Sequence, residues 1–550
     1  MCSRAFFRQS NEVDRACELF VADSALSSTY ECSRQKLRRQ PTNSARGLPE
    51  LVPSGYGNVC VLLRTKWAYD HIKWMVQKDR LNQDMFLIGS HSPMRRWLAF
   101  RFCEVAEREC EFVALTSDTS EGDLKSRREL RRTGARTNAP ISVVWFDQAV
   151  VRAATSGRVL ILEGLEKAER NVLPILNNLL ENREMQLEDG RFLVAPKRYD
   201  ALMASRERTG LEDLNLIRVH ERFRVIAVGV PSPPFPGNPL DPPLRSRFQA
   251  RHIQRVPTEQ LLLSLRVQYA PNVQRETIED LLSKYETLWA LGDSQMSTAG
   301  VEAKALAFSS LCYPCEQSII SAAQLLESFP SLSTLDVLER IFPANSESGL
   351  LHGEAAIMIS QVLCFSDPIA KDNGMAYRLV SVENAREVSQ SNDGCTEALP
   401  PPSLTLHFSV PGSRTCTIVT YGGGYEPVMP SELPPNWSEV VIKMAQSAAL
   451  GNDICLIGPK GEGKSYLARH FAAAMGYIQT ETLFLYDDMT ARDLLQRRST
   501  NARGESIWES TPLGLAMESG RLCILDGLHR LGAGTIAALV RLIQDREISM

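Results

Sequence analysis

The chain has 550 residues, 44% of them apolar and 23% charged, an ordinary globular composition with room for roughly two to four domains. Its 61 basic and 65 acidic residues leave a net charge of −4, which excludes a broad basic surface for nucleic acid. No apolar run approaches the roughly 20 residues that cross a bilayer, so no transmembrane segment is expected.

Residues 1–58 read as an N-terminal extension. Arg4, Arg8, Arg34, Lys36, Arg38 and Arg39 are interspersed with Glu12, Asp14, Glu18, Asp23 and Glu31, whereas transit peptides are usually poor in acids. Residues 59–255 read as an α/β core. An apolar run, Met85-Phe86-Leu87-Ile88, leads into Gly89-Ser90-His91-Ser92-Pro93-Met94-Arg95-Arg96, and a second run, residues 159–162, precedes a helix expected over 171–181. Continuous runs of four or five apolar residues suit strands buried on both faces of a parallel sheet. A third run, residues 223–230, ends in the Pro- and Gly-rich turn 231–243.

Residues 256–345 carry helical patterning and are expected to form an α-helical lid. Cys312 and Cys315 are the one close cysteine pair, and without a second pair or a histidine cluster they lack half the ligands of a zinc site. The 13 cysteines otherwise occur singly, with Cys455 and Cys523 inside apolar runs expected to be buried strands, which points to a reducing compartment. Residues 346–435 read as a connector, polar from 388 to 402, with an alternating strand signal at 404–410 and a turn at Gly422-Gly423-Gly424.

Residues 436–550 repeat the first core. The loop Gly458-Pro459-Lys460-Gly461-Glu462-Gly463-Lys464-Ser465 aligns with Gly89 to Arg96 at an offset of 369 (458 against 89). Asp-Leu-x-x-Arg-Arg recurs at 123–128 and 493–498, Ser-Gly-Arg followed by an apolar run, an acid and Gly-Leu at 156–165 and 519–528, and Arg-Glu at 183–184 and 546–547. Four matched blocks in one order make the halves copies of one domain. The second copy stops before it is finished, so a truncated product or an incomplete gene model is expected, with limited solubility from an open sheet edge.

The later loop fits GxxxxGK[ST] at every defined position. Its glycines let backbone N–H groups turn inward at a helix N-terminus and cradle phosphate oxygens. Lys464 would reach the β- and γ-phosphates and the Ser465 hydroxyl would ligate Mg²⁺. Asp526, closing the apolar run 522–525, would hold the Mg²⁺ shell through water. The alternatives are a Gly-rich turn with a solvated lysine and a helix-capping aspartate. Gly527 follows Asp526, and Gly164 follows Glu163, where ATPases of this kind carry a glutamate that polarises the attacking water. Losing a positioned base costs roughly 10² to 10⁴ in rate, so hydrolysis is expected to be slow unless Glu547 or another subunit compensates. In the earlier copy Arg95 and Arg96 replace the lysine and the hydroxyl, and Arg96 cannot ligate Mg²⁺, so that copy reads as structural. Arg245 and Arg247 sit on a turn from which a cation could reach a neighbouring phosphate site. Surface ion pairing is the plainer reading.

Residues 244–248, Leu-x-x-Arg-Phe in pattern, together with segments 161–174, 177–192, 237–251 and 488–496, resemble the AAA+ ATPases of the MoxR and midasin (dynein-related) branch. The resemblance is specific over about 80–255 and 440–550. It implies tandem AAA+ modules of α/β fold with an α-helical lid, ATP with Mg²⁺, a homo-oligomeric ring, remodelling of protein clients, a mitochondrial location, and Arg247, with Arg245 beside it, as a finger acting in trans. A nucleotide-gated scaffold that binds ATP without turnover is the competing expectation. Base-specifying or acceptor motifs of a P-loop kinase or GTPase are not found.

Overall fold

A computed structural model describes residues 48–548, except 57–59, 133–140, 170–171, 206–214, 233–234, 236, 299–314, 342–376, 385–402, 410–415, 423–426, 428–433, 478 and 502–503. The N-terminal basic residues, Cys312, the polar stretch 388–402, and Gly423 and Gly424 therefore lie outside the described residues. Contacts divide the chain into two compact units, one of Met1–Ser264, Arg498–Trp508 and Ala533–Met550, the other of Leu265–Arg497 and Glu509–Gly532.

In the first unit, helix α1 (Lys66–Arg80) precedes strand β1 (Met85–Ile88), and the degenerate loop joins β1 to helix α2 (Met94–Val105). Strands β2 (Cys110–Ala114), β3 (Val159–Glu163), β4 (Arg224–Gly229) and β5 (Gln249–His252) complete a parallel sheet, with helix α3 (Pro174–Glu181) following β3. The order is β5-β1-β4-β3-β2. Leu160, Leu162, Val225 and Ala227 are buried in one core with Leu176 and Leu179 of α3, each large aliphatic side chain contributing roughly 1.5–3 kcal/mol. The inner strands β1, β3 and β4 of this parallel sheet are buried on both faces, which is why they read as continuous apolar runs. The helix after β3 begins at Pro174 rather than at 171, proline fitting the first helical turn.

The second unit holds helices Arg275–Thr298, Glu316–Ser328 and Thr334–Ile341 and an antiparallel sheet of Arg378–Asn384, Ser403–Ser409 and Cys416–Tyr421. The alternation at 403–409 buries Leu404, Leu406 and Phe408 on one face. Helix α4 (Pro435–Ala449) leads to the intact loop, helix α5 (Lys464–Ala474) leaves it, and strands β6 (Thr480–Phe484) and β7 (Leu522–Asp526) pair in parallel.

One expected element does not form. The run Ile454-Cys455-Leu456-Ile457 pairs with no strand among the described residues, and Cys455 and Ile457 are exposed rather than buried. The reason is topological. In the first copy β1 lies between β4 and β5, and the described second copy contains no counterpart of either strand.

His71 of α1 is buried at 6% exposure and its Nδ1 accepts a 2.8 Å hydrogen bond from Arg251 Nε. Burial, with Arg251 and His252 adding like charge, pushes its pKa down from 6.5 to about 4. The unfolded chain therefore binds more protons between these values, and stability present above pH 6.5 is lost as pH falls toward 4, by up to about 3 kcal/mol. Thermal unfolding followed across this window should show that loss, and His71→Gln should flatten it; an unchanged slope would remove His71 as its source.

Candidate functional site

The intact loop is shaped by two left-handed glycines, Gly461 at φ +97° and Gly463 at φ +81°. A Cβ at Gly463 would lie 2.9 Å from the Trp437 ring of α4, so this position needs glycine for conformation and for space. Lys464 opens α5, and its Nζ donates to Gly458 O at 2.8 Å and Pro459 O at 2.6 Å. Ser465 follows, its Oγ donating to Asp526 Oδ2 at 3.1 Å. Asp526 ends β7, so the sheet brings together a cation, a hydroxyl and a carboxylate separated by 61 residues. Hydroxyl and carboxylate oxygens are hard donors of the kind Mg²⁺ takes, and this pair fits the ion. Lys460 and Glu462 are exposed on the loop, and a Cβ at Gly458 would meet Glu462 Oε2 at 2.8 Å.

The residue after each strand-end acid has a conformational reason to be glycine. Gly164 and Gly527 have φ of +87° and +93°, and a Cβ at either would sit 3.1 Å from a backbone carbonyl, that of Leu115 or Leu485. A glutamate there would be strained in both copies. Glu547, the candidate substitute base, is paired with Arg541.

The earlier loop has no left-handed residue, with Pro93 at φ −68° before its helix where Gly463 stands at +81° before α5, and it keeps one polar contact while changing the other. Arg95 takes the part that Lys464 plays, its Nη1 donating to Gly89 O and Ser90 O. Arg96, at the serine position, is 1% exposed and binds both oxygens of Glu163 at 3.0 and 3.1 Å. Its Nε donates to Asp545 Oδ2 at 2.7 Å and its Nη2 to Gln544 Oε1 at 2.7 Å. Burial opposes the charge, but Glu163 and Asp545 outweigh it and hold the Arg96 pKa above the usual arginine value. With no oxygen donor at this position and a guanidinium on the acid, the first site does not fit Mg²⁺.

Arg245 and Arg247 end a short helix, Pro242–Arg247. Arg247 is held by Pro243 O and the Glu181 carboxylate, while Arg245 is exposed. Cys315 contacts Ser318, and among the described residues no group of three or more His, Cys, Asp or Glu could hold a metal ion. No helix among them is long and apolar enough to cross a membrane.

Residues 84–248 and 453–550 match the model of the AAA domain, dynein-related subfamily. Both cores are dynein-related AAA domains. The chain is 42% identical over 505 residues to von Willebrand factor A domain-containing protein 8 of Mus musculus, 91% of this chain but 24% of that protein. The chain thus spans about a quarter of the mouse relative's length. It is also similar to protein NorQ of Paracoccus denitrificans, 35% identical over 103 residues, covering 18% of this chain and 37% of that one. The denitrification regulatory protein NirQ of Stutzerimonas stutzeri is 31% identical over 97 residues, 18% of this chain and 34% of its own.

The AAA cores also contain residues that reading along the chain missed. Trp437 lies outside the loop pattern yet packs on its glycine. The shared Asp of Asp-Leu-x-x-Arg-Arg is a helix cap: Asp493 accepts from Thr490 N and Oγ1 at 3.1 and 2.7 Å, and Asp123 from Ser120 N and Oγ at 3.0 and 2.7 Å. A signal for the Arg96 to Glu163 pair was present, since the alignment that turns Ser465 into an arginine keeps an acid at the strand end.

Gly527→Ala should destabilise the second AAA core by about 1–2 kcal/mol in denaturant unfolding. Gly532→Ala, where a Cβ meets nothing within 4 Å, is the matched control. Equal midpoints for the two variants would refute the conformational reason for glycine after Asp526.

Proposed function

We propose that the chain binds ATP with Mg²⁺ at the second AAA core and hydrolyses it slowly to remodel protein partners. The observation that carries this reading is the convergence of Lys464, Ser465 and Asp526 at the edge of β7, with Ser465 Oγ 3.1 Å from Asp526 Oδ2. Bound Mg²⁺ would supply charge neutralisation at the β- and γ-phosphates, with Ser465 and Asp526 as the residues that hold it. The Lys464 ammonium, now on two loop carbonyls, would exchange them for phosphate oxygens. Loop amides from Gly458 to Ser465 would orient the phosphates at the N-terminus of α5.

Turnover needs more than this set. The residue directly after Asp526 cannot polarise a water, because it is Gly527, and Glu547 is paired with Arg541, so the rate would rest on electrostatics and on an arginine supplied in trans within a homo-oligomeric ring. Arg245, exposed, is the more available of the two candidates, and Arg247 would first have to leave Glu181. The same Gly527 favours a second reading, a scaffold that binds ATP and does not turn it over. A mitochondrial location is part of the proposal, and it rests on the resemblance, since the N-terminal extension mixes acids with its basic residues.

Equilibrium titration with a fluorescent ATP analogue and Mg²⁺ should show affinity reduced at least roughly tenfold by Lys464→Ala and unchanged by Arg95→Ala. Loss of binding in Arg95→Ala alone would overturn the choice of site. Single-turnover hydrolysis abolished by Asp526→Ala would support the ATPase reading; tight binding with no hydrolysis in the unmutated chain would leave the scaffold. Attachment of residues 1–58 to a reporter should direct it into isolated mitochondria, and a reporter left outside would refute that location.

A further inference from the structure

The first AAA core has the sheet, the loop and the helix of a nucleotide site, yet its charged groups are already spent. A phosphate loop works by leaving one cation and a divalent ion's oxygen donors available to an incoming anion. Arg95 holds Gly89 O and Ser90 O just as Lys464 holds Gly458 O and Pro459 O, so the difference between the two sites lies at the next residue. Arg96 occupies the position of the metal-binding hydroxyl, and the strand-end acid Glu163, which would face a metal, grips its guanidinium with both oxygens.

The anion this guanidinium carries comes from the chain itself. Residues Ala533–Met550 belong to the same compact unit as the first core. At the end of helix Val540–Asp545, one Asp545 oxygen accepts from Arg96 Nε and the other from Trp97 Nε1, each at 2.7 Å, and Gln544 Oε1 takes Arg96 Nη2 at 2.7 Å. The Asp545 side chain is 5% exposed. One turn back, the Arg541 guanidinium lies over Phe112 and Phe100 at 4.3 and 4.8 Å from the ring centroids, and Tyr56 stacks on Phe100 at 5.0 Å. The contact is thus a charged centre with an aromatic margin.

We propose that the first site is a built-in clasp: a nucleotide site whose metal is replaced by Arg96 and whose anion is replaced by Asp545, so that it binds helix Val540–Asp545 instead of a nucleotide. The geometry is self-consistent: Arg96 Nη1 lies on both oxygens of Glu163, while its Nε and Nη2 are taken by Asp545 and Gln544 of the helix. Removing Arg96 would leave two carboxylates without their cation, and removing the Asp545 carboxylate would take the acceptor from Arg96 Nε and Trp97 Nε1 while Arg96 stays on Glu163. The clasp does not depend on whether the second core hydrolyses ATP.

Hydrogen–deuterium exchange on the whole chain tests it. Asp545→Asn, which keeps shape and removes charge, should speed exchange of the amides of 540–545 and 94–99 on the order of tenfold or more, and leave α5 unchanged. Unchanged exchange at 540–545 in this variant overturns the clasp. Arg96→Met should reproduce the effect, and because it risks unfolding α2, Asp545→Asn is the deciding variant. In Lys464→Ala, where the second loop is disabled, ATP with Mg²⁺ should alter neither 89–96 nor 540–545. ATP-dependent protection of 89–96 in that variant would show that the first loop takes nucleotide, and the clasp would fall.

Discussion

Each core ends a parallel strand on a carboxylate, Glu163 or Asp526, and the two cores differ in what answers it. In the first core Glu163 is answered by Arg96 from the helix that follows the loop. In the second, the Ser465 hydroxyl donates to Asp526. A hydroxyl donates one hydrogen bond and carries no charge, so Ser465 does not neutralise Asp526 as Arg96 neutralises Glu163. The first site is neutralised from within. One substitution at one position, serine against arginine, separates a site that can accept a cation from one that already contains its own.

The glycine after each acid belongs to the same geometry. Left-handed backbone at Gly164 and Gly527 ends the strand and brings the chain close to the carbonyls of Leu115 and Leu485. A side chain there would strain the turn that positions the acid. The lack of a water-polarising glutamate is therefore a feature of the strand end, shared by both copies, and not damage confined to the degenerate one. Any efficient hydrolysis would have to draw on groups outside this strand.

Strand pairing sets the difference in completeness. β1 gains its place from β4 and β5 on either side, whereas 454–457 has the composition of a strand without neighbours. The intact loop is then held mainly by α4, through Trp437 on Gly463, and by α5, while the degenerate loop sits on a five-stranded sheet. Residue type and scaffold are thus distributed in opposite senses: the complete loop pattern is in the copy with the smaller sheet among the described residues.

Much of this was legible along the chain. The two α/β cores, the alternating strand at 403–409, the intact loop and the strand-end acids all follow from short-range signals, because apolar periodicity, glycine spacing and a closing acid are local properties. The loop pattern alone named Lys464 and Ser465, and Asp526 was found by its place after an apolar run. Tertiary structure decided what local signals cannot contain. Whether 454–457 becomes a strand depends on partners elsewhere in the chain. Whether Cys455 is buried depends on the same partners. Arg247 meets Glu181 across 66 residues, and Arg96 meets Asp545 across 449. Sequence determines which groups carry charge and which turns need glycine; only the fold assigns each charge its counterion, because that choice is made by distance in space and by the cost of leaving a buried charge alone.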